Sequence, residues 1–323
     1  MQRGPARRAV LPSGDHTAGR RYAPRVIDVS VAPAEPSAVR TLADRAERAD
    51  GFPSLGEPTW RDLTAPTADS FDVRGVDDRG RLVAFLHAHA GDSRSRPHRA
   101  LGVVVDPEHR DPELVRELIA TALAEVAPSE DVILWLPGKP RDTTAGAEAA
   151  GMHVQRALRR MEVPLPIPYE PVWPDETRPR TFRVGADEEA WLTANDRAFA
   201  GHPEQSGWDL ATLRRRFAEH WFDPEGFLLA FDHDGLAGFC WTKEHPHGVG
   251  EIFVIGVDPD RQRAGLGRAL VVAGLASLAE RGSTRGMLYV DAANTAAVEL
   301  YEKLGFRAVR TDVAYLREGA AGA

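Results

Sequence analysis

The sequence predicts an α/β protein of two similar domains, each a mixed, mostly antiparallel sheet flanked by helices. Its 323 residues exceed what one hydrophobic core usually covers. Each half contains an apolar strand, an Asp-Pro turn and then an amphipathic helix. Asp106 and Asp258 lie 152 residues apart, and Gly151 and Gly305 lie 154 apart. Because two landmarks repeat at nearly the same offset, we expect a duplicated domain.

The order of elements is the same in both halves. An early amphipathic helix is predicted over 38–50 in the first half and over 189–200 in the second. A β-hairpin follows, with glycine-containing turns at 77–80 and 233–235. Strand, helix, strand, helix and strand complete each half. Strands that alternate with helices after a hairpin favour a three-layer α/β domain.

Domain boundaries follow from changes in composition. Residues 1–23 are basic and lack the apolar segment of a signal peptide, so we interpret them as a disordered tail. Residues 24–163 form the predicted N-terminal domain. Residues 164–179 contain six prolines and are predicted to be a semi-rigid linker. Residues 180–317 form the predicted C-terminal domain.

Overall composition limits the classes of partner. The formal net charge of −8 disfavours a nonspecific grip on nucleic acid or on an anionic membrane. No apolar run is long enough to span a bilayer. The single cysteine, Cys240, lies in an apolar segment, and we interpret it as a core thiol rather than a nucleophile. We therefore expect a cytoplasmic monomer that acts on small molecules.

A glycine-rich segment, RQRAGLGR at 261–268, separates a predicted strand from a predicted helix. The first N–H groups of a helix have no partner within it, so such a turn can bind an anion. Gly265 and Gly267 would let a ligand approach the backbone, and Arg263 and Arg268 add positive charge. The pattern matches neither a Walker loop nor a dinucleotide fingerprint. A pyrophosphate is the expected ligand, and a tightly packed turn without a ligand is the alternative.

Two motifs together resemble the GCN5-related N-acetyltransferase (GNAT) superfamily. They are Gln262-x-x-Gly265-x-Gly267 and NTAAVELYEKLGF at 294–306. The resemblance covers nearly all of 180–317 and, more faintly, 25–163. It implies that acetyl-CoA is the co-substrate, with its pyrophosphate on the loop and its pantetheine arm along the preceding strand end. The implied acetyl-CoA contacts are Ile255, Gly256, Val257, Gln262, Arg263, Ala264, Gly265, Leu266, Gly267, Arg268, Asn294, Thr295, Ala296, Ala297, Val298 and Glu299.

Four segments narrow the resemblance to one family. Residues 198–208, 221–231, 239–246 and 250–259 closely resemble the mycothiol acetyltransferases, which are tandem acetyltransferases. Such an enzyme acetylates the cysteinyl amine of a cysteinyl-glucosaminyl-inositol, the final step of mycothiol biosynthesis. The resemblance implies contacts with this acceptor at Glu57, Glu204, Lys243, Glu251 and Tyr289.

Two side chains are candidates for acid and base chemistry. An amine attacks a thioester only when it is neutral, so a base is needed. Glu251 lies in an apolar strand just before the loop, and apolar surroundings make a carboxylate a stronger base. Tyr301 matches the position where the superfamily often has an acid tyrosine. The alternatives are an exposed edge charge for Glu251 and a core aromatic for Tyr301.

A metal is not expected. His245 and His247 flank a proline, which would suit two ligands of a metal ion. No third ligand follows at a spacing typical of metal sites. We therefore predict an acetyltransferase that uses acetyl-CoA without a metal.

The first half departs from the motif at its loop. EHRDPELV at 108–115 has Asp111, Pro112 and Glu113 where the second half has glycines. The acids would repel a pyrophosphate, and proline lacks an N–H donor. The first half is therefore interpreted as a degenerate GNAT domain, and the second as the catalytic one. The degenerate half still retains an apolar strand end as a possible cofactor contact, at Val103, Val104 and Val105.

Two other functions remain open from the sequence. One is a GNAT enzyme that acetylates another small-molecule or peptide amine. The other is a non-catalytic protein that senses acyl-CoA. An acceptor screen distinguishes the first alternative, and release of free CoA distinguishes the second.

Overall fold

The computed structural model describes residues 7–10, 26–91, 97–139, 141–200, 207–262 and 265–320. The chain divides into two compact units. The first comprises residues 1–157 with 311–323, and the second comprises residues 158–310. Within the described ranges, no helix is both long and apolar enough to cross a bilayer.

In its described residues, the first unit has a sheet of seven strands and four α-helices. Its strands, in spatial order, are β1 (Arg7–Val10), β2 (Val26–Val31), β3 (Phe71–Val76), β4 (Leu82–Ala90), β5 (Arg99–Val105), β6 (Val132–Leu136) and the end of β13 (Arg307–Arg317). Its helices are α1 (Pro36–Asp50), α2 (Glu57–Thr64), α3 (Pro112–Glu125) and α4 (Arg141–Ala149). Neighbouring strands are antiparallel except β5 and β6, which are parallel.

The second unit repeats this design. Its strands, in spatial order, are the end of β7 (His153–Pro164), β12 (Arg285–Asp291), β11 (Val249–Val257), β10 (Gly235–His245), β9 (Phe227–Asp232) and β8 (Arg178–Thr181). Its helices are α5 (Glu188–Ala198), α6 (Leu210–Phe217), α7 (Leu266–Glu280) and α8 (Thr295–Lys303). Again a single neighbouring pair, β11 and β12, is parallel in the described part of this unit.

Each unit buries a hydrophobic cluster on both faces of its sheet, as a three-layer fold requires. In the second unit one cluster includes Leu270, Val271 and Leu275 of α7. The other cluster is aromatic and includes Trp191 of α5 and Trp241 of β10. Because α7 is apolar around most of its circumference, it packs closely on the sheet. A Cβ atom built at Gly267, near the start of α7, would lie 3.7 Å from Val257 at the end of β11.

The Asp-Pro turns have the same structure in both units. Asp106 and Asp258 each cap a short 3₁₀ helix by accepting a hydrogen bond from the N–H two residues later. Asp106 also pairs with Arg45 of α1 at 2.8 Å, and Asp258 pairs with Arg197 of α5 at 2.7 Å. This shared geometry accounts for the repeat seen in the sequence.

Three boundaries differ from the sequence predictions. Residues 7–10, assigned to the tail, form β1, because the free edge of β2 offers backbone hydrogen bonds to any extended segment that reaches it. The end of β13 belongs to the first unit, where Val313 pairs with Leu136. The end of β7 belongs to the second unit, where it pairs with β12. Each sheet is thus completed by a strand from the other half of the sequence.

The proline-rich segment, predicted to be a semi-rigid linker, is packed on one of the two units. Residues 165–177 contain neither helix nor strand, but they pack on the second unit. Leu165, Ile167 and Trp173 contact its hydrophobic core. The ring of Tyr169 lies 5.0 Å from the guanidinium of Arg268, at the start of α7. The segment therefore supports the helix that follows the glycine loop.

Candidate active site

Glu251 is a buried carboxylate in the middle of the second sheet. It lies on β11, directly opposite Lys243 of β10, and only 8% of its surface is exposed. Its Oε2 atom is 2.6 Å from Nε2 of His245. Within the described ranges, His245 is the only side chain at ion-pairing distance from this carboxylate. The exposed edge charge considered from the sequence is therefore excluded.

A β-bulge places Glu251 and Lys243 on the same face. Trp241 pairs with Val254 and Thr242 with Ile252, so Phe253 is an extra residue in β11. Residues directly opposite in an antiparallel pair share a face of the sheet. Without the extra residue, Lys243 would have a different partner.

Lys243 contacts aromatic rings rather than open solvent. Its Nζ lies 4.7 Å from the ring centre of Trp221 and 5.9 Å from that of Phe253. The two rings meet edge to face at 5.1 Å. Such cation–π contacts hold the ammonium beside the Glu251 face of the sheet.

Tyr289 lies on the same face, one strand further along. It is on β12, two residues after Met287, which pairs in register with Glu251. Tyr289 is 40% exposed, and its hydroxyl accepts a hydrogen bond from Arg310 at 3.0 Å. The sheet therefore brings together three of the predicted acceptor contacts: Lys243, Glu251 and Tyr289.

The glycine loop has room for a ligand at its first glycine. Gly265 precedes α7 with φ of +84°, a backbone conformation that favours glycine. A Cβ atom built there would meet nothing within 4 Å. The first N–H groups of α7 are available to an anion. Leu266 is buried in the core, Gln262 is exposed, and Arg263 and Ala264 lie outside the described residues.

The parallel strands β11 and β12 separate beside this loop. Their register runs from Val249 with Arg285 to Ile252 with Leu288, and no later pair forms in the described part of the chain. Within the described residues, Ile255, Gly256 and Val257 therefore have no strand partner on the β12 side of β11. Packing also explains why residue 256 is a glycine, because a Cβ atom there would approach the Phe239 ring to 2.6 Å.

The start of α8 borders the same end of the sheet. Asn294 caps this helix, its side chain accepting a hydrogen bond from the N–H of Ala297 at 3.2 Å. Thr295, Ala296 and Glu299 are exposed, whereas Val298 is buried in the core. The buried Val298 side chain has a packing role, and the exposed residues remain candidates for ligand contact.

Tyr301 is a core residue. It is 7% exposed, and its ring centre lies 5.7 Å from that of Phe306. Desolvation by burial raises the pKa of Tyr301 to about 12, with a smaller contribution from nearby Cys240. Cys240 is fully buried, and desolvation raises the pKa of its thiol to about 12. Cys240 is therefore a core thiol, as predicted, and is not poised as a nucleophile.

The described part of the first unit lacks the features of this site. Asp111 caps α3, accepting a hydrogen bond from the N–H of Glu113 at 2.8 Å, so a side chain already uses a donor at this helix start. When the strands are aligned from the Asp-Pro turns and the extra residue Phe253 of β11 is left out, the pair equivalent to Lys243 and Glu251 is His89 and Ala100. No carboxylate thus replaces Glu251.

The strand end of the first unit still lines a cleft. Val103, Val104 and Val105 form part of its wall, together with Phe52 and Arg110. Arg110 is held by a bidentate ion pair with Asp50, at 2.7 and 2.6 Å. This guanidinium is therefore already neutralised by a carboxylate. Such a cleft should therefore bind a phosphate more weakly than the glycine loop does.

Two further acceptor contacts are predicted from the sequence, Glu57 and Glu204. Glu57 is exposed in the first turn of α2 in the first unit, 3.6 Å from Arg61. Glu204 lies outside the described residues. The sequence reasoning missed His245 as the partner of Glu251 and Arg310 as the partner of Tyr289. His245 could have been found, because it lies two residues after Lys243 and so on the same strand face.

Comparison with known proteins agrees with this fold. Residues 173–306 match the model of the acetyltransferase (GNAT) family. A GCN5-related N-acetyltransferase from Sphaerobacter thermophilus is similar in structure, with a TM-score of 0.72 and 24% identity over 91% of this chain and 97% of that one. A tandem GNAT protein from the clavulanic acid biosynthesis pathway has a TM-score of 0.61 and 16% identity over 92% of this chain and 100% of that one. The fold and site thus define a tandem acetyltransferase of the GNAT class.

One relative identifies the family within that class. A mycothiol acetyltransferase from Thermobispora bispora is 42% identical over 300 residues, which are 90% of this chain and 99% of that protein. This chain belongs to the mycothiol acetyltransferase family. The fold class and the family resemblance predicted from the sequence are confirmed.

Proposed function

We propose that this acetyltransferase moves an acetyl group from acetyl-CoA to the cysteinyl amine of cysteinyl-glucosaminyl-inositol, the final step of mycothiol biosynthesis. The observation that carries the proposal is the buried Glu251 carboxylate opposite Lys243, on the strand that leads to the glycine loop. The family of the chain supports the choice of acceptor.

Acetyl-CoA would bind across the separated ends of β11 and β12. Its pyrophosphate would lie at the start of α7, where Gly265 leaves open space and Gly267 adds no side chain. The pantetheine arm would follow the free edge of β11 at Ile255 and Val257. The exposed start of α8 would border the cofactor on its other side.

Glu251 would act as the base for the attacking amine. The α-amino group of a cysteinyl residue has an ordinary pKa near 8, so most of it is charged at neutral pH. A carboxylate that accepts its proton, directly or through a water molecule, makes the nitrogen a nucleophile. The positive charge of Lys243, which lies opposite Glu251, would favour the neutral form of the bound amine.

Tyr301 would assist the leaving sulfur. Its raised pKa keeps the hydroxyl protonated at physiological pH. A thiol has an ordinary pKa of about 8.5, so complete transfer of the phenolic proton to the thiolate is uphill. We therefore assign Tyr301 a hydrogen bond to the sulfur rather than full proton transfer.

The acceptor would be recognised by polar groups along the same sheet face. Tyr289 with its Arg310 partner, and Lys243 with its aromatic rings, offer donors to the hydroxyl groups of a sugar and an inositol. We keep Glu57 and Glu204 as further proposed acceptor contacts. Catalysis is assigned to the second unit, because the first lacks both a glycine loop and an equivalent of Glu251.

The test is acetylation of three acceptors by the purified chain, with the product measured by mass spectrometry. Cysteinyl-glucosaminyl-inositol should be acetylated at its amine, and glucosaminyl-inositol and free cysteine should react at least about 100-fold less efficiently. Faster acetylation of a peptide amine would point to another acceptor. Binding of acetyl-CoA without turnover of any acceptor would point to a sensor.

A further inference from the structure

His245 connects the buried Glu251 carboxylate to solvent. The two side chains are joined by a hydrogen bond of 2.6 Å between Nε2 and Oε2. The His245 side chain is 32% exposed, whereas that of Glu251 is only 11% exposed. A proton on Glu251 therefore has an adjacent group that reaches water.

The backbone holds His245 in this place. It is the last residue of β10 and pairs with Val249, so the hairpin turn between them is short. His247 and Gly248 in that turn both have positive φ, and the Gly248 carbonyl accepts a hydrogen bond from the N–H of Thr284 at 2.8 Å. A turn anchored in this way limits the movement of the imidazole relative to β11.

Neighbouring charges do not compete for this contact. Lys243, the direct partner of Glu251, has its ammonium over the Trp221 ring. Glu244, adjacent to His245 in sequence, is paired with Arg281 at 2.7 Å. The imidazole and the carboxylate thus form a separate pair.

Proton balance over one turnover requires a route by which Glu251 loses the proton it has taken. When Glu251 takes a proton from the amine, an N–H bond breaks and an O–H bond forms. The carboxyl must lose that proton before the next turnover. In the Nδ1–H tautomer of the neutral imidazole, Nε2 is unprotonated, and transfer of the proton from Oε2 to Nε2 breaks the O–H bond and forms an N–H bond. The imidazolium then gives its Nδ1 proton to water, which leaves Nε2–H donating to the ionised carboxylate.

We propose that His245 is a positioning residue that orients the Glu251 carboxylate and carries its proton to solvent. The proposal rests on the role of Glu251 as base. It makes His245 part of the proton path although it need not touch either substrate.

The experiment compares two substitutions of His245 in the full-length protein. His245→Gln retains a hydrogen-bond donor but cannot relay a proton, so kcat should fall by about tenfold or more while KM for acetyl-CoA stays unchanged. The kcat of His245→Ala should fall further, and added imidazole should raise it several-fold. His247→Asn is the matched control, because asparagine tolerates positive φ, and it should behave as the wild type.

A double-substitution cycle separates this proposal from the role of Glu251. In a Glu251→Gln background, His245→Gln should cause no further loss of kcat, because the two groups act as one unit. Wild-type kcat in His245→Gln, with activity lost in Glu251→Gln, would overturn the proposal and leave the base in place. Lack of imidazole rescue together with a lower melting temperature would show a structural role only. Wild-type activity in Glu251→Gln would overturn both.

Discussion

At the scale of single residues, Gly265 combines two properties of an anion site. Its positive φ shapes the turn before α7, and nothing fills the space where its side chain would be. Any substitution therefore tests two things at once, backbone strain and occupancy of the open space. Asparagine and aspartate both tolerate positive φ better than other residues, and they differ by one charge.

Gly265→Asp should weaken acetyl-CoA binding by about tenfold or more relative to Gly265→Asn, because a carboxylate repels the pyrophosphate at short range. Calorimetry of acetyl-CoA binding to the two variants measures the difference. It should shrink at high salt, which screens exposed charges. Equal affinities would mean that the phosphates bind elsewhere.

The sequence indicates the candidate residues better than their partners. Glu251 and Gly265 can be found because a charge in an apolar strand and glycines before a helix are local patterns. The contact of Arg310 with Tyr289 joins residues 21 positions apart and depends on how strands are arranged. Such contacts follow from strand register, which local patterns do not specify.

At the scale of elements, the Asp-Pro turn links α5 to the glycine loop. Asp258 caps the turn that precedes the loop, and Arg197 of α5 binds the same carboxylate. The Arg197 guanidinium holds the pKa of the Asp258 carboxyl well below its usual range. A carboxylate whose pKa is lowered by folding stabilises the fold at pH values above its unfolded pKa, which is near 4. This contribution is lost as the pH falls from there through the folded pKa.

Arg197→Ala should lower the melting temperature at pH 7, since Asp258 loses its main partner. The difference in melting temperature between this variant and the wild type should narrow as the pH falls below about 4, because protonation of Asp258 removes the same interaction from the wild type. Thermal denaturation between about pH 2 and pH 7 measures it. Arg214→Ala, which removes an exposed arginine from α6, is the control and should show no such trend. A difference that stays constant with pH would contradict the assignment.

The helices and hairpins could be predicted from periodicity, but the last strand of each sheet could not. β7 and β13 both follow a Gly turn and both look like the final strand of their own half. Their pairing instead completes the sheet of the other half, with β7 beside β12 and β13 beside β6. The residue pattern of a strand specifies a buried face and says little about which edge it joins.

At the scale of the whole molecule, duplication has left two units of one design and different chemistry. Both have a parallel strand pair and an Asp-Pro turn held by an arginine. The second has an open glycine loop and a buried carboxylate, whereas the first has a capped helix start and an alanine. The repeat was visible in the sequence because landmark residues that shape turns recur at similar offsets.

The most direct test of the account is the rate of acetyl transfer to cysteinyl-glucosaminyl-inositol by Glu251→Gln, measured from about pH 6.5 to about pH 9.5. The rate near pH 7 should fall by about 100-fold, and the loss should shrink at high pH, where the amine is already neutral. Asp111→Asn in the first unit should retain wild-type turnover throughout. A Glu251→Gln rate within about twofold of the wild type at every pH would contradict the claim that this carboxylate is the base.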